Sequence, residues 1–344
     1  MSDYPGELPE ITPIIKELGK STLHPEISAL DILNLTAVAI KADVETTVDG
    51  RRTALSNWTR SGITDELRQP ANAAASALHD SAIAILKTTN GSPADIASGT
   101  AIDISGRTFI ATCSHFLPSN SDRLIFTSRK VRHLEECTVE VLGIGSVPKP
   151  DNSSWPDVGF VELPTKFVKE VLGADPLPLE NVGLSPGTEL KGSAILSGFA
   201  EADCETKEIE EHAGLELSVT FQIYSAPLVP SEYWHRVPPS RNGPQELGVD
   251  LVLPYRVHSR VPKFDGNETF DLCDPVGLSG GGYWVHVQRG DLWHARDYRL
   301  IGIQSLHPQK DNYLQGTQIH HWLRLVASKN EDLADAIGDL LSDS

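Results

Sequence analysis

The run Asp274-Pro275-Val276-Gly277-Leu278-Ser279-Gly280-Gly281-Gly282-Tyr283-Trp284-Val285-His286-Val287 decides how the rest of the chain is read. Four glycines surround one serine, and the run then continues as a strand rich in aromatic and β-branched residues. A serine hydroxyl is a poor nucleophile until a base takes its proton. Glycines beside it let main-chain N–H groups turn toward a developing oxyanion. Gly277 and Ser279 are the candidate donors. Chemistry at this serine then requires a histidine and a carboxylate from elsewhere in the chain.

Two upstream segments supply them. Gly99-Thr100-Ala101-Ile102-Asp103-Ile104 alternates and stops at Ser105-Gly106, and Thr108-Phe109-Ile110-Ala111-Thr112 follows. That pattern predicts a hairpin, and it leads into Cys113-Ser114-His115-Phe116-Leu117. The second segment is Trp155-Pro156-Asp157-Val158-Gly159-Phe160-Val161-Glu162-Leu163, an acid at the head of an apolar strand. Histidine suits the base because its pKa lies near operating pH. A carboxylate would fix its tautomer and stabilise the imidazolium.

Taken in order, Thr112-Cys113-Ser114-His115, Asp157-Val158-Gly159-Phe160 and Gly277-Leu278-Ser279-Gly280-Gly281 resemble the motifs of the chymotrypsin-like (trypsin-like) serine protease family. The resemblance covers about residues 80–325. It implies an all-β core of two Greek-key six-stranded β-barrels, with His115, Asp157 and Ser279 as a catalytic triad in the cleft between them and Gly277 and Ser279 as the oxyanion hole. It further implies a substrate-pairing strand that ends in Ser305, Leu306 and His307, and a P1 pocket reached by Cys273 and Asp274. The expected function is a serine endopeptidase that acts on protein or peptide substrates through an acyl-enzyme, with no metal and no cofactor. The sequence departs from the family at Leu278, where digestive members carry Asp, and at His307, where many carry Gly. Asp274 would favour Lys or Arg at P1 only if the local alignment slips by one, so P1 preference stays open. Two other readings compete. One is a catalytically inactive binding module on the same fold. The other is an α/β-hydrolase-type esterase using Ser279, although that fold needs a helix after the serine where Tyr283–Val287 reads as strand.

Around this centre, the 344 residues divide into four expected parts. Residues 1–75 form an N-terminal helical extension, from the spacing of Ile27, Leu30, Leu33, Ala37 and Ile40 and the alanine-rich run Ala71–His79. Residues 76–175 form the first barrel, 176–316 the second, and 317–344 a C-terminal helix. Further strands are expected at Ala82–Leu86, Val139–Leu142, Ala194–Ser197, Leu217–Phe221 and Leu300–Ile303, with an irregular Pro-rich insertion at Ala226–Pro262. The extension needs a surface to cover, which makes a regulatory protein a possible partner there.

The net charge is −18, from 29 basic and 47 acidic residues, which argues against nucleic acid as a partner. No apolar run approaches membrane-spanning length, so no membrane association is expected. The first residues lack a basic and apolar signal, and the four cysteines, Cys113, Cys137, Cys204 and Cys273, are scattered. Both features predict a cytoplasmic protein with reduced thiols. His320-His321 lacks ligand spacing and reads as helix surface.

Overall fold

The computed structural model describes residues 38–46, 52–55 and 76–341, leaving out parts of the connecting segments, among them 118–122, 129–136, 148–154, 184–192, 210–213, 263–268, 288–296 and 308–312. The chain's first described elements are strands, β1 (Val38–Thr46) and β2 (Arg52–Leu55). They correct the expected helical extension at residues 38–46 and 52–55. Ile40 lies in β1, and Ile27, Leu30, Leu33 and Ala37 lie outside the described residues. The sequence of β1 carries the β-branched residues Val38, Ile40 and Val44, which lose little by being extended. Residues 76–80 are helical, as the alanine-rich run predicts.

The first barrel is built from β3 (Ala82–Thr89), β4 (Ser92–Ile104), β5 (Arg107–Thr112), β6 (Arg123–Thr127), β7 (Gly143–Ser146) and β8 (Gly159–Leu163). These six antiparallel strands run in the order β6-β3-β4-β5-β8-β7, and the short β9 (Leu177–Pro178) adds a parallel pairing to β4. The β4–β5 hairpin closes through Ser105 and Gly106, both at positive φ (53° and 84°). Two such residues make a type I′ turn, whose twist matches that of the strands it joins. The strand expected at Val139–Leu142 instead forms a few residues later, as β7.

The second barrel uses β10 (Ser193–Phe199), β13 (Phe221–Pro227), β14 (Asp250–Pro254), β17 (Gly282–His286), β18 (Tyr298–Leu306) and β19 (Tyr313–Gln318). Their order is β14-β19-β18-β17-β10-β13, again antiparallel, and β1 and β2 extend this sheet beyond β13. Two separate hairpins complete the β-structure, β11 (Glu205–Ile209) with β12 (Gly214–Ser218) and β15 (Arg260–Pro262) with β16 (Thr269–Asp271). The stretch expected as one strand at Leu217–Phe221 is split between β12 and β13, and the insertion expected to be irregular contains the edge strand β14.

The architecture is therefore all-β, two curled six-stranded antiparallel half-barrels followed by C-terminal helix, consistent with the chymotrypsin-like double barrel. The helical end has two parts, α1 (Ile319–Lys329) and α2 (Ala334–Leu341), with a 3₁₀ turn at Glu331–Leu333 between them. Helix α1 buries Ile319, Trp322, Leu323, Leu325 and Val326. The larger core is continuous from the first barrel (Ile83, Ile102, Phe109, Val161) through Phe199, Phe221 and Trp284 of the second to this helix. A separate core fills the second barrel with Leu196, Leu253, Tyr283, Ile301 and Leu314. Among the described residues, no helix is long and apolar enough to cross a membrane.

Candidate active site

The pairing of β5 with β8 explains how two residues 42 apart in sequence meet. Thr112 lies opposite Gly159 at the end of that antiparallel ladder. Beyond it the chain continues from Thr112 into a 3₁₀ turn, Ser114–Phe116, while the residues just before Gly159 approach from the other side. His115 and Asp157 are therefore neighbours across the barrel end. The Asp157 side chain is buried and that of His115 is 46% exposed. Asp157 Oδ1 accepts the His115 main-chain N–H at 3.0 Å, and Oδ2 lies 2.5 Å from Nδ1. The proton of a neutral ring then sits on Nδ1, and Nε2 is left as the basic atom.

Burial of the ring opposes its charge, but the Cys113 sulfur, the Asp157 hydrogen bond and the carboxylate charge outweigh that opposition and raise the His115 pKa above its ordinary value. Cys113 is fully buried, and its Sγ lies 3.8 Å from Nε2. The sulfur therefore neighbours the very atom that would receive a proton.

Two consecutive tight turns, Pro275–Leu278 and Leu278–Gly281, shape the chain around Ser279. In the first, Leu278 N–H donates to Pro275 O at 3.0 Å and Gly277, the third residue, has φ +93°. In the second, Gly281 N–H donates to Leu278 O at 2.8 Å and Gly280, again third, has φ +87°. A positive φ at the third position is the mark of a type II turn, and it explains the glycine at both places. Ser279 is the second residue of the second turn and is half-buried. The turn lies hard against the first barrel: a Cβ on Gly280 would stand 2.0 Å from Ser98 O and 2.2 Å from Thr112 Oγ1. The Ser279 turn therefore lies at the seam between the barrels, against Ser98 and Thr112.

Four main-chain donors of this segment are engaged. Val276 N–H is capped by Asp274 Oδ1, Leu278 N–H and Gly281 N–H close the turns, and Gly280 N–H donates to Gln304 O at 2.7 Å. The N–H groups of Gly277 and Ser279 have no partner among the described residues. They are the two donors the sequence singled out. Ser279 Oγ and His115 Nε2 are not hydrogen-bonded to each other.

The remaining expected residues separate. Ser305 is buried near the end of β18 and its hydroxyl donates to Gln315 O at 3.1 Å. Leu306 and His307 are half-buried, and the His307 ring lies 6.2 Å edge-on from Tyr255. Cys273 is held through both its atoms: its thiol donates to Gln222 Oε1 and its carbonyl accepts from the Tyr255 hydroxyl. Asp274 is exposed and occupied in capping Val276. The residue that sequence reasoning missed is Ser98, fully buried on β4. Its N–H donates to Ser279 O and its hydroxyl donates to Gly277 O while accepting the Phe199 N–H. His321, expected at the helix surface, is half-buried with Nε2 2.9 Å from Gly248 O, and burial lowers the pKa of both it and His320.

No protein-family model matches this chain, and a comparison with curated proteins finds no match. Among solved structures, the chain is similar to HL collagenase at 14% identity and TM-score 0.44, over 74% of this chain and 95% of that one. It is similar to the protease Anisep from Arthrobacter nicotinovorans at 12% identity and TM-score 0.42, over 74% and 96%. It is also similar to the serine endoprotease from Yersinia pestis at 12% identity and TM-score 0.34, over 79% and 66%. These similarities are slight.

Proposed function

We propose that this chain is a serine endopeptidase in which Ser279 attacks the peptide carbonyl, His115 takes its proton and Asp157 holds His115. The observation that carries the reading is the buried Asp157 carboxylate gripping both the ring and the main chain of a half-exposed histidine. Such a grip fixes the tautomer, opposes rotation of the ring and stabilises the imidazolium formed during attack. As Ser279 Oγ bonds to the carbonyl carbon, its proton moves to His115 Nε2 and the carbonyl oxygen becomes an oxyanion. The N–H groups of Gly277 and Ser279 are the ones free to receive that charge. Collapse expels the amine, which takes the proton from His115 and leaves an acyl-Ser279. Water then repeats the sequence and releases the acid.

The Ser305–His307 strand end is the proposed surface for the substrate main chain, and Cys273 and Asp274 lie at the proposed P1 end. Protein or peptide is the proposed substrate, and the site uses no metal or cofactor. A fluorophosphonate probe tests the reading on the intact chain. Wild type should be labelled and Ser279→Ala should not, and His115→Ala should slow turnover on the order of 10⁴-fold. Equal labelling of wild type and Ser279→Ala would remove Ser279 from its role. An unlabelled wild type would favour the inactive binding module.

A further inference from the structure

The two type II turns differ in one respect. Flipping the central peptide of a turn converts type II to type I and reverses the direction of its N–H. In the Leu278–Gly281 turn the central peptide is pinned on both sides, by Ser98 N–H to Ser279 O and by Gly280 N–H to Gln304 O, each at 2.7 Å. In the Pro275–Leu278 turn only the carbonyl side is pinned: Glu201 N–H donates to Val276 O at 2.8 Å, and Gly277 N–H has no partner among the described residues. The described chain has no cis peptide, so each N–H points opposite to the carbonyl of its own plane. Holding Val276 O on the Glu201 turn therefore directs the Gly277 N–H away from that turn. The next plane is held as well, because Ser98 Oγ donates to Gly277 O at 2.8 Å and is itself fixed by Phe199 N–H at 2.8 Å. The loop sits directly on these groups: a Cβ on Gly277 would be 2.6 Å from both Glu201 N and Phe199 O.

We propose that Ser98 and the main-chain N–H of Glu201 are positioning groups for the reaction assigned to Ser279, holding the two peptide planes that bracket Gly277 so that the Gly277 N–H faces the substrate carbonyl in the resting chain, while the neighbouring plane that carries the Ser279 N–H is held separately, by Gly281 N–H on Leu278 O. The inference rests on that assignment and adds how the anion site is kept formed. Neither group touches substrate. One ties the loop to the first barrel and the other ties it to the turn after β10.

Two variants test it independently. Ser98→Ala removes the hydroxyl from a buried place. Glu201→Pro removes the N–H at an exposed place. Glu201 opens a 3₁₀ turn, and Ala200 before it has φ −86° and ψ 140°, the backbone a residue preceding proline adopts. The proline ring would occupy the direction in which Val276 O now lies, so that carbonyl must turn away. Glu201→Ala keeps the N–H and is the conservative comparison. With a peptide ester, Ser98→Ala should lower kcat about 10- to 100-fold and Glu201→Pro about 100- to 1000-fold, with KM within about threefold, while Glu201→Ala stays near wild type. Thermal melts of the same samples report folding. In spectra of protein labelled with ¹⁵N-glycine, the Gly277 resonance should move in Ser98→Ala and Glu201→Pro and stay in place in Glu201→Ala. Unchanged kcat in Glu201→Pro, a loss confined to KM, or an unmoved Gly277 resonance would overturn the proposal. The resonance decides it even where wild type shows no turnover, an outcome that would instead count against the role of Ser279.

Discussion

An exposed imidazole resting on a buried carboxylate titrates according to what surrounds it, and the sign can be worked out for His115. Its pKa is raised, against the effect of burial, by the Cys113 sulfur and by Asp157. A base works only when neutral. The active fraction therefore grows as pH rises through the raised value, and the acid limb of kcat/KM should lie above the ordinary imidazole value of about 6.5. Cys113→Ala removes the first of the raising groups, so it should move that limb toward acid. A pH–rate series on both proteins checks this, and a wild-type limb at or below about 6.5, or a limb that Cys113→Ala leaves in place, would contradict it. The glycines give a second outcome at this scale. Gly280→Ala combines a φ of +87° with a Cβ 2.0 Å from Ser98 O. Backbone strain plus overpacking should destabilise the protein by about 2–5 kcal/mol in urea denaturation, and loss of labelling by fluorophosphonate should accompany it.

Between residue and molecule, the elements show what was legible and what was not. The hairpin of β4 and β5, the strand of β8 and the strand after Ser279 were readable because each has local alternation or a turn signal that physics ties to one conformation. The choice of His115, Asp157 and Ser279 comes instead from the resemblance of their three segments, taken in order, to the chymotrypsin-like motifs. Strand β1 was not readable, because Ile40 also completes the helical interval that runs back to Ile27, and pairing with β13, almost two hundred residues on in sequence, decides for the strand alternation of Val38, Ile40, Ala42 and Val44. Ser98 was invisible because its partners, Gly277 and Phe199, are 179 and 101 residues away. Helix α1 was readable as a helix, but not its task. Trp322 is fully buried and its Nε1–H donates to Gly159 O at 3.0 Å, at the head of the strand that follows Asp157. Trp322→Ala should therefore lower stability by about 3–5 kcal/mol, and Trp322→Phe by about 1–2, most of it the lost hydrogen bond. Equal losses in chemical denaturation would mean that the indole N–H contributes nothing to holding β8.

Across the whole molecule, the two barrels meet where Ser98 and Thr112 of the first receive the Ser279 turn of the second, and this seam bears on how the site is switched on. In digestive members of the family the sequence resembles, chain cleavage frees an amine that enters the protein and pairs with an acid just before the nucleophile. Here that position is Leu278, which is buried and packs in the core of the second barrel. A leucine cannot compensate a buried amine, and an ammonium taken from water without a partner carries a large desolvation penalty. Neutral hydrogen bonds from Ser98, Glu201 and Gln304 hold this loop instead, and they need no new terminus. Those bonds join parts of the chain that are in place once both barrels have folded. The 344-residue chain should therefore react with fluorophosphonate as isolated, and acetylating its α-amine should leave the labelling rate within about twofold, because no charge at the terminus is coupled to the loop. Trimming near residue 80 should give no activation. A chain that labels only after such trimming, and loses that labelling when the new amine is acetylated, would show that an amine does enter the loop despite Leu278.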